Sequence, residues 1–491
     1  MTVLPERGVG VIHAPGLEPL LEAGGDLIDV VEIEPQTFWF GGATVGDLAA
    51  PARRMIEAAG LDERPALVHG VGAPIGGTIP PTDADVANLA AVTDLLDSAW
   101  VSEHLSFNHV HLDGSVAATG LMLPPVQTDE SALLAATSIA SVRGGLGRPF
   151  AFETGVNYLA PRPDEVPDGV WWRTIAEAAD CGILLDLHNV WCNARNGRQA
   201  LDELFDDLPL DRVWEIHLAG GEQVDGIWLD AHSGLVDPEL LAIAADVVAH
   251  LPSLRAITFE IVPEYLLARD VAAGDIRSML EQLHLLWDAR RTAPQVIGGG
   301  EPPPVAPPGD LDGLAAAEVR LARAVLDPDA DAEPGVRVMS RLVDAIRRGL
   351  TVTVLPLSIR LVRLTRGSDA VAAALTECHR RHTPELHADA EAAHVAVVLR
   401  EMYGSSVAHL HSVLDYELAL VDLARTGRAR PVAFACDPVA LLSALGRGEL
   451  PDDLSIGAFE LDLVADDAIT AGWGVPRPSS RVWRHPWEHQ S

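Results

Sequence analysis

Lysine is missing from this sequence altogether. Its 35 basic residues are all arginine, set against 71 Asp and Glu, for a formal net charge of -36. A field of that sign repels phosphate backbones and excludes nucleic acid as an expected partner. Cysteine is scarce too. Cys181, Cys192, Cys378 and Cys436 form no C-x-x-C pair, and a chain of 491 residues needs no covalent staples, so they read as free thiols in a reducing cytosol. No apolar run reaches the roughly 18 residues needed to span a bilayer. The nearest, TVTVLPLSIRLV at 351–362, is too short and carries Arg360. The opening residues MTVLPERGVGVIHAPG lack the charged segment and apolar run of a secretory signal, and Gly8, Gly10 and Gly16 do not make the G-x-G-x-x-G of a dinucleotide fold. With 48% hydrophobic and 22% charged residues, the expectation is a soluble, cytoplasmic, globular protein of two or three domains, with no membrane partner.

What is present is a repeating alternation. Short runs rich in Val, Ile and Leu recur at 8–14, 28–34, 66–72, 100–107, 150–156, 182–190, 212–219 and 256–262. Their interiors are apolar without strict alternation, as in strands buried on both faces. Between them, 44–59, 83–99, 129–142, 165–180, 199–208 and 238–251 read as helices. Eight alternations of this kind favour a closed TIM-type (β/α)8 barrel over residues 1–290. A Gly/Pro-rich linker follows at 291–309. The α/β domain gives way to a second, mostly helical domain at 310–491, with helices over 311–326, 335–348, 368–381, 386–402 and 407–425.

The informative feature is where polar residues fall. Strand two ends in Glu32 and Glu34, strand three in His69, strand four in Glu103 and His104, and strand five in Glu153. Strand six ends in Asp186, His188 and Asn189, strand seven in His217, and strand eight in Glu260; the loop after strand seven adds Asp230 and His232. One such residue means little. In a closed parallel barrel, however, these ends converge on one mouth, where active sites of this fold lie. Gathering many carboxylates there costs heavily in desolvation and like-charge repulsion unless cations bind between them. Imidazole with carboxylate and no thiolate selects iron, manganese or zinc, and so many donors exceed what one ion uses. Asp230 and His232 both reach inward only if their loop bends, with Gly234 as a candidate for the bend. Asp186 and His188 share a face if the strand continues, whereas Asn189 turns inward if it ends.

The ordered motifs HGVG (69–72), SEHLSF (102–107), FETGVNYL (152–159), LLDLHNVWCNA (184–194), EIHLAGG (215–221), LDAHSG (229–234) and TFEI (258–261) resemble the multinuclear non-heme iron-dependent oxidases, a family that includes the methanobactin-synthesis oxidase and its peptide-modifying relatives. The resemblance implies a barrel holding two or three mixed-valent iron ions. It implies His69, His104, Glu153, Asp186, His217, Asp230, His232 and Glu260 as metal ligands, with Asn189 at a position that relatives fill with Asn or His. It further implies oxidation by O₂ of a residue, usually cysteine, in a ribosomally made precursor peptide (RiPP biosynthesis). On that resemblance one iron would bind the substrate thiolate and another would activate O₂, with a C–H bond next to sulfur broken. Three places depart from the family pattern: LDLHN where many relatives read L-D-V-N-N, ETGVNYL where Asn-Pro often follows the glutamate, and EIEPQTF where a His is common. Family enzymes often work with a separate protein that captures the peptide leader. Residues 310–491 are expected to be such a partner fused in cis, on the strength of the linker, the helical pattern and the loosely similar segment 416–445.

Three other readings compete: a divalent-metal sugar isomerase on the same barrel, an abasic-site endonuclease-like hydrolase, and a non-catalytic metal-binding or chaperone module. The missing lysine weakens the first and the negative charge the second. In the second domain, Glu391-Ala-Ala-His394 has the Glu-x-x-His spacing of di-iron bundles but no second copy, so it reads as a solvated polar helix face. Cys378, His379 and His382 lie close in sequence, and Arg347, Arg348, Arg360, Arg363 and Arg366 make a local basic stretch. Both read as ordinary surface features before they read as sites.

Overall fold

The computed structural model describes residues 4–13, 16–38, 64–268, 271–291, 309–329, 331–426, 428 and 430–463. The helix expected over 44–59 and residues 292–308 of the expected linker lie outside them. The eight expected strands form: β1 (Gly8–His13), β2 (Val30–Ile33), β3 (Ala66–Gly70), β4 (Val101–His104), β5 (Phe150–Glu153), β6 (Gly182–Asp186), β7 (Val213–Ala219) and β8 (Ala256–Glu260). Each pairs in parallel with the next, and β8 pairs with β1, which closes the barrel. Helices Asp83–Leu96, Asp129–Leu146, Asp168–Ala179, Leu201–Asp207, Pro238–Val248 and Ala273–Ala289 alternate with the strands. Thr82 and Thr128 start two of these helices through reciprocal capping boxes with Asp85 and Ser131, satisfying backbone donors that the first turn leaves unpaired.

Period-two alternation decides what enters the barrel. Leu4, Val30, Leu67, Trp100, Ala151, Trp214 and Ala256 form one apolar cluster, and the polar residues lie further along the same strands, toward their C-terminal ends. The sixth segment departs from expectation. The run 182–190 is not one strand: β6 stops at Asp186, and a helix, Leu187–Arg195, starts at once. Asp186 is its N-cap, its carboxylate accepting from the Asn189 N–H at 2.8 Å. A continuous apolar run hides such a switch, because the capping residue here looks like an ordinary strand-end carboxylate.

The described residues of 1–39, 44–116 and 121–341 make one compact unit, and those of 117–120 and 342–491 another. Within the first, residues 311–341 run along loops that follow barrel strands at the mouth. Glu318 accepts from the Thr78 N–H at 2.9 Å and from its hydroxyl. Arg323 donates to Asp113 at 2.8 Å, Glu333 accepts from the Ala160 N–H at 2.6 Å, and Arg341 donates to Asp225. Gly335 lies so close to the Tyr158 carbonyl that a Cβ there would meet the oxygen at 2.1 Å. These partners belong to the loops after β3, β4, β5 and β7.

The second unit is helical, with Pro356–Arg366, Ser368–Arg381, Ala388–Tyr403, Leu410–Thr426 and Pro438–Gly446 packed with a two-stranded antiparallel sheet, Val432–Cys436 against Ile456–Leu461. Leu355, Val362, Leu375, Leu399, Leu414 and Leu420 centre its core. Two arginines of the basic stretch, Arg347 and Arg360, are buried. Arg347 is buried against Glu391 at 2.8 Å, Arg348 pairs with Asp344 at 2.5 Å, and Arg360 donates to the Leu445 and Gly446 carbonyls that end a helix. Among the described residues no helix is long and apolar enough to cross a membrane.

Candidate metal centre

The strand ends converge as the periodicity requires. Glu153 stands in the middle: its Oε2 is 2.8 Å from His104 Nε2 and 3.3 Å from His69 Nε2, and its Oε1 is 3.8 Å from His217 Nδ1. Glu260 Oε2 lies 3.3 Å from both His217 Nδ1 and His232 Nε2. Asp230 Oδ1 lies 2.8 Å from His232 Nε2. Four triads among the described residues bring donor atoms within 4.8 Å of one another: His69–His104–Glu153, Glu153–Asp186–His217, Asp186–His232–Glu260 and Glu32–His217–Glu260. Shared members make them one continuous cluster. Donors bonded at about 2.1 Å to one cation stand about 3 Å apart when adjacent, so spacings of this size suit the edges of coordination polyhedra.

The outer partners aim the imidazoles. His69 Nδ1 meets the Ser102 hydroxyl at 2.9 Å, and His104 Nδ1 donates to the Gly70 carbonyl at 2.9 Å, so both rings turn Nε2 toward Glu153. His217 is reversed: Nε2 lies 3.0 Å from Glu32, which leaves Nδ1 facing Glu153 and Glu260. Below it, Glu215 accepts from Trp100 Nε1 at 3.0 Å and from the Thr258 hydroxyl at 2.9 Å. Hydrogen bonds of this kind hold metal-ligating histidines in orientation. Glu103 lies on the Nδ1 side of His104, its Oε1 3.7 Å from that nitrogen. It accepts from the Ala73 and His104 N–H groups and so orders the chain around Gly70.

The loop after β7 bends at His232 itself, whose φ is 45°, a left-handed value uncommon for a non-glycine residue. That bend turns His232 back onto Asp230 and Glu260. The helix beginning at Leu187 separates the two neighbours that the sequence left as alternatives. Asn189 donates to the Thr154 carbonyl at 3.4 Å, and its Oδ1 is buried with no hydrogen-bond partner, as is Asp186 Oδ2. His188 instead has Nδ1 3.3 Å from Asp230 Oδ1.

Electrostatics point the same way. Burial opposes the His104 cation, yet Glu153 and Glu103 hold its pKa well above the ordinary imidazole value. Burial likewise opposes the cations of His217, which Glu260 and Glu32 push well up, and His232, which Asp230 and Glu260 push well up. Burial favours a protonated Glu153, but His104 and His69 drive it well below the usual carboxylate range. Asp186 goes the other way, lifted by burial and by Asp230, Glu153 and Glu260. Burial also raises Glu34, against the pull of His69. In a set this rich in carboxylates, protons on the imidazoles balance charge that bound metal cations would otherwise balance. Unpartnered donors, cation-poor charge and all-N/O chemistry together fit a metal site.

Seven residues expected from the sequence, His69, His104, Glu153, Asp186, His217, His232 and Glu260, fall within the triads, and Asp230 and Asn189 adjoin them. Glu32, a strand-end carboxylate outside the ligand set that the resemblance implies, joins one triad. Ser102, Tyr158, Glu215 and Thr258 were not singled out, because isolated polar residues in apolar runs carry no sequence signal of an orienting role. Cys378, His379 and His382 enter no such group among the described residues.

A family model described as "RiPP precursor modification enzyme MbnB/TglH/ChrH" matches residues 9–272. A UPF0276 protein of Chromobacterium violaceum is 30% identical over 267 residues, 54% of this chain and 91% of that protein. Among solved structures, a sugar phosphate isomerase/epimerase from Parabacteroides distasonis has 13% identity and a TM-score of 0.33, covering 59% of this chain and 96% of its own. Endonuclease IV from Thermus thermophilus has 15% identity and a TM-score of 0.34, covering 58% and 99%.

Proposed function

The chain belongs to the MbnB/TglH/ChrH family of RiPP precursor modification enzymes, and from that premise we propose that its barrel mouth holds two or three iron ions and oxidises, with O₂, a cysteine of a ribosomally made precursor peptide. The observation that carries the reading is the buried run of shared triads centred on Glu153, with more N and O donors than one ion uses. His69, His104, Glu153, Asp186, Asn189, His217, Asp230, His232 and Glu260 would hold the metal. Bound there, iron supplies a Lewis acid for a substrate thiolate and a redox partner for O₂.

The residues themselves set where substrate meets the cluster. His104, Asp230 and His232 retain side-chain exposures of 18%, 22% and 24%, whereas His69, Glu153, His217 and Glu260 are at 4% or less. The approach is therefore from the His104–Asp230–His232 side, with the deeper ligands shielded from water. The carboxylates also supply acceptors for the proton that a cysteine loses on binding. The surrounding apolar strands keep competing solvent out. The four buried free thiols suit a cytoplasmic setting, and we read residues 310–491, of which the described residues of 342–491 belong to the second unit, as a leader-binding partner fused in cis.

Protein purified without oxygen should carry two to three equivalents of iron by elemental analysis and show spectra of coupled ions. A single Zn²⁺ or Mg²⁺ per chain sinks the oxidase reading in favour of a hydrolase or isomerase. A short cysteine-containing precursor encoded beside the gene should lose hydrogen on incubation with the iron form and O₂, as read by mass spectrometry.

A further inference from the structure

His188 is completely buried, and both of its ring nitrogens are committed to protein. Nδ1 lies 3.3 Å from Asp230 Oδ1. Nε2 lies 3.6 Å from the thiol of Cys192, one helical turn further along the same face of Leu187–Arg195. That thiol also reaches the Leu229 carbonyl at 3.6 Å, in the residue just before Asp230. The Nε2 edge is closed by Gly221 as well: a Cβ at that position would stand 2.7 Å from Nε2. The Nε2 side of the ring thus lies against a cysteine and a glycine, Nδ1 meets Asp230, and among the described residues His188 enters none of the donor triads.

Asp230 is held from several directions. Its carboxylate meets His232 at 2.8 Å and His188 at 3.3 Å, and its backbone N–H donates to the Tyr158 hydroxyl at 3.1 Å. We propose that His188 is a positioning residue: its Nδ1–H donates to Asp230 and fixes the direction in which that carboxylate faces His232 and Glu260, with Cys192 and Gly221 locking the ring from behind. His188 is then not a ligand, although it sits in the motif where a ligand is expected. The inference rests on the metal-cluster reading but not on iron.

Three variants separate the roles. In His188→Asn the amide nitrogen takes the place of Nδ1 and can still donate to Asp230, while nothing remains at the Nε2 position. His188→Leu and His188→Phe remove the donor, the second keeping the ring's shape in case the first packs poorly. Each full-length protein is titrated anaerobically with Fe(II), and separately with Zn(II), with metal per chain and dissociation constants as readouts. Orienting partners of metal ligands typically contribute 10- to 100-fold in affinity. The expected result is weakening of about that size for one equivalent in the Leu and Phe variants, the other equivalents unchanged, and recovery to within about threefold in the Asn variant. Equal loss in all three would show direct ligation and overturn the proposal, as would wild-type affinity in all three. Wild-type protein that takes Zn(II) but no iron fails the oxidase reading while the His188 comparison still runs on Zn(II). Wild-type protein that takes neither overturns both.

Discussion

Glu153 approaches three imidazoles, His69, His104 and His217, and belongs to two of the triads. Glu153→Gln should therefore lower bound metal by more than one equivalent, whereas His69→Ala, which touches one triad, should lower it by no more than one. Elemental analysis after dialysis tells these apart. The pKa directions give a second prediction. His104, His217 and His232 are raised, so at neutral pH the metal-free chain holds protons on rings that must present lone pairs to a metal. Metal uptake must expel those protons, so apparent affinity rises with pH and is lost as pH falls. Fe(II) calorimetry in two buffers of different ionisation enthalpy should report more than one proton released per chain. A release of zero would mean that the rings are already neutral. Most of these residues were legible beforehand because a polar residue ending an apolar run has a single direction to point once the barrel closes. Ser102 and Glu215 were not, since an orienting role exists only relative to a partner on another strand.

At the scale of elements, the Leu187–Arg195 helix shows how one capping residue redirects a motif. Asp186 ends β6, caps the helix and faces the cluster, so neither the strand pattern nor the helix pattern alone describes it. The packing of 311–341 against the mouth loops is another element-level fact. Gly335→Ala places a methyl against the Tyr158 carbonyl and should cost about 1–3 kcal/mol, with faster amide exchange over 158–160, read by hydrogen exchange. In the second unit, Arg347 and Glu391 are 4% and 0% exposed. Glu391→Ala strands a buried guanidinium and should cost about 3–5 kcal/mol in denaturant melts, without changing metal content. That pair accounts for the glutamate of the Glu-x-x-His spacing: it anchors helices and takes no part in a di-iron site.

The whole molecule sets where it can be cut. Truncation after residue 309 removes Glu318, Arg323, Glu333 and Arg341 from the mouth loops, whereas truncation after 341 keeps them. The chain ending at 341 should retain wild-type metal content and lose affinity for the precursor peptide; the chain ending at 309 should lose thermal stability as well. Persistence of peptide affinity in the 341 form, measured by calorimetry, would refute a leader-binding role for 342–491. By itself the sequence determined the barrel and the chemistry of its mouth, because strand periodicity and the C-terminal placement of polar residues are local patterns that closure simply gathers. Only the tertiary structure decided which side of each imidazole faces the cluster, that His188 turns to Asp230 while the Asn189 side-chain Oδ1 lies unpartnered, and that 311–341 packs with the barrel. Those outcomes depend on hydrogen bonds and close packing between residues far apart in the chain, and no local pattern encodes such partners.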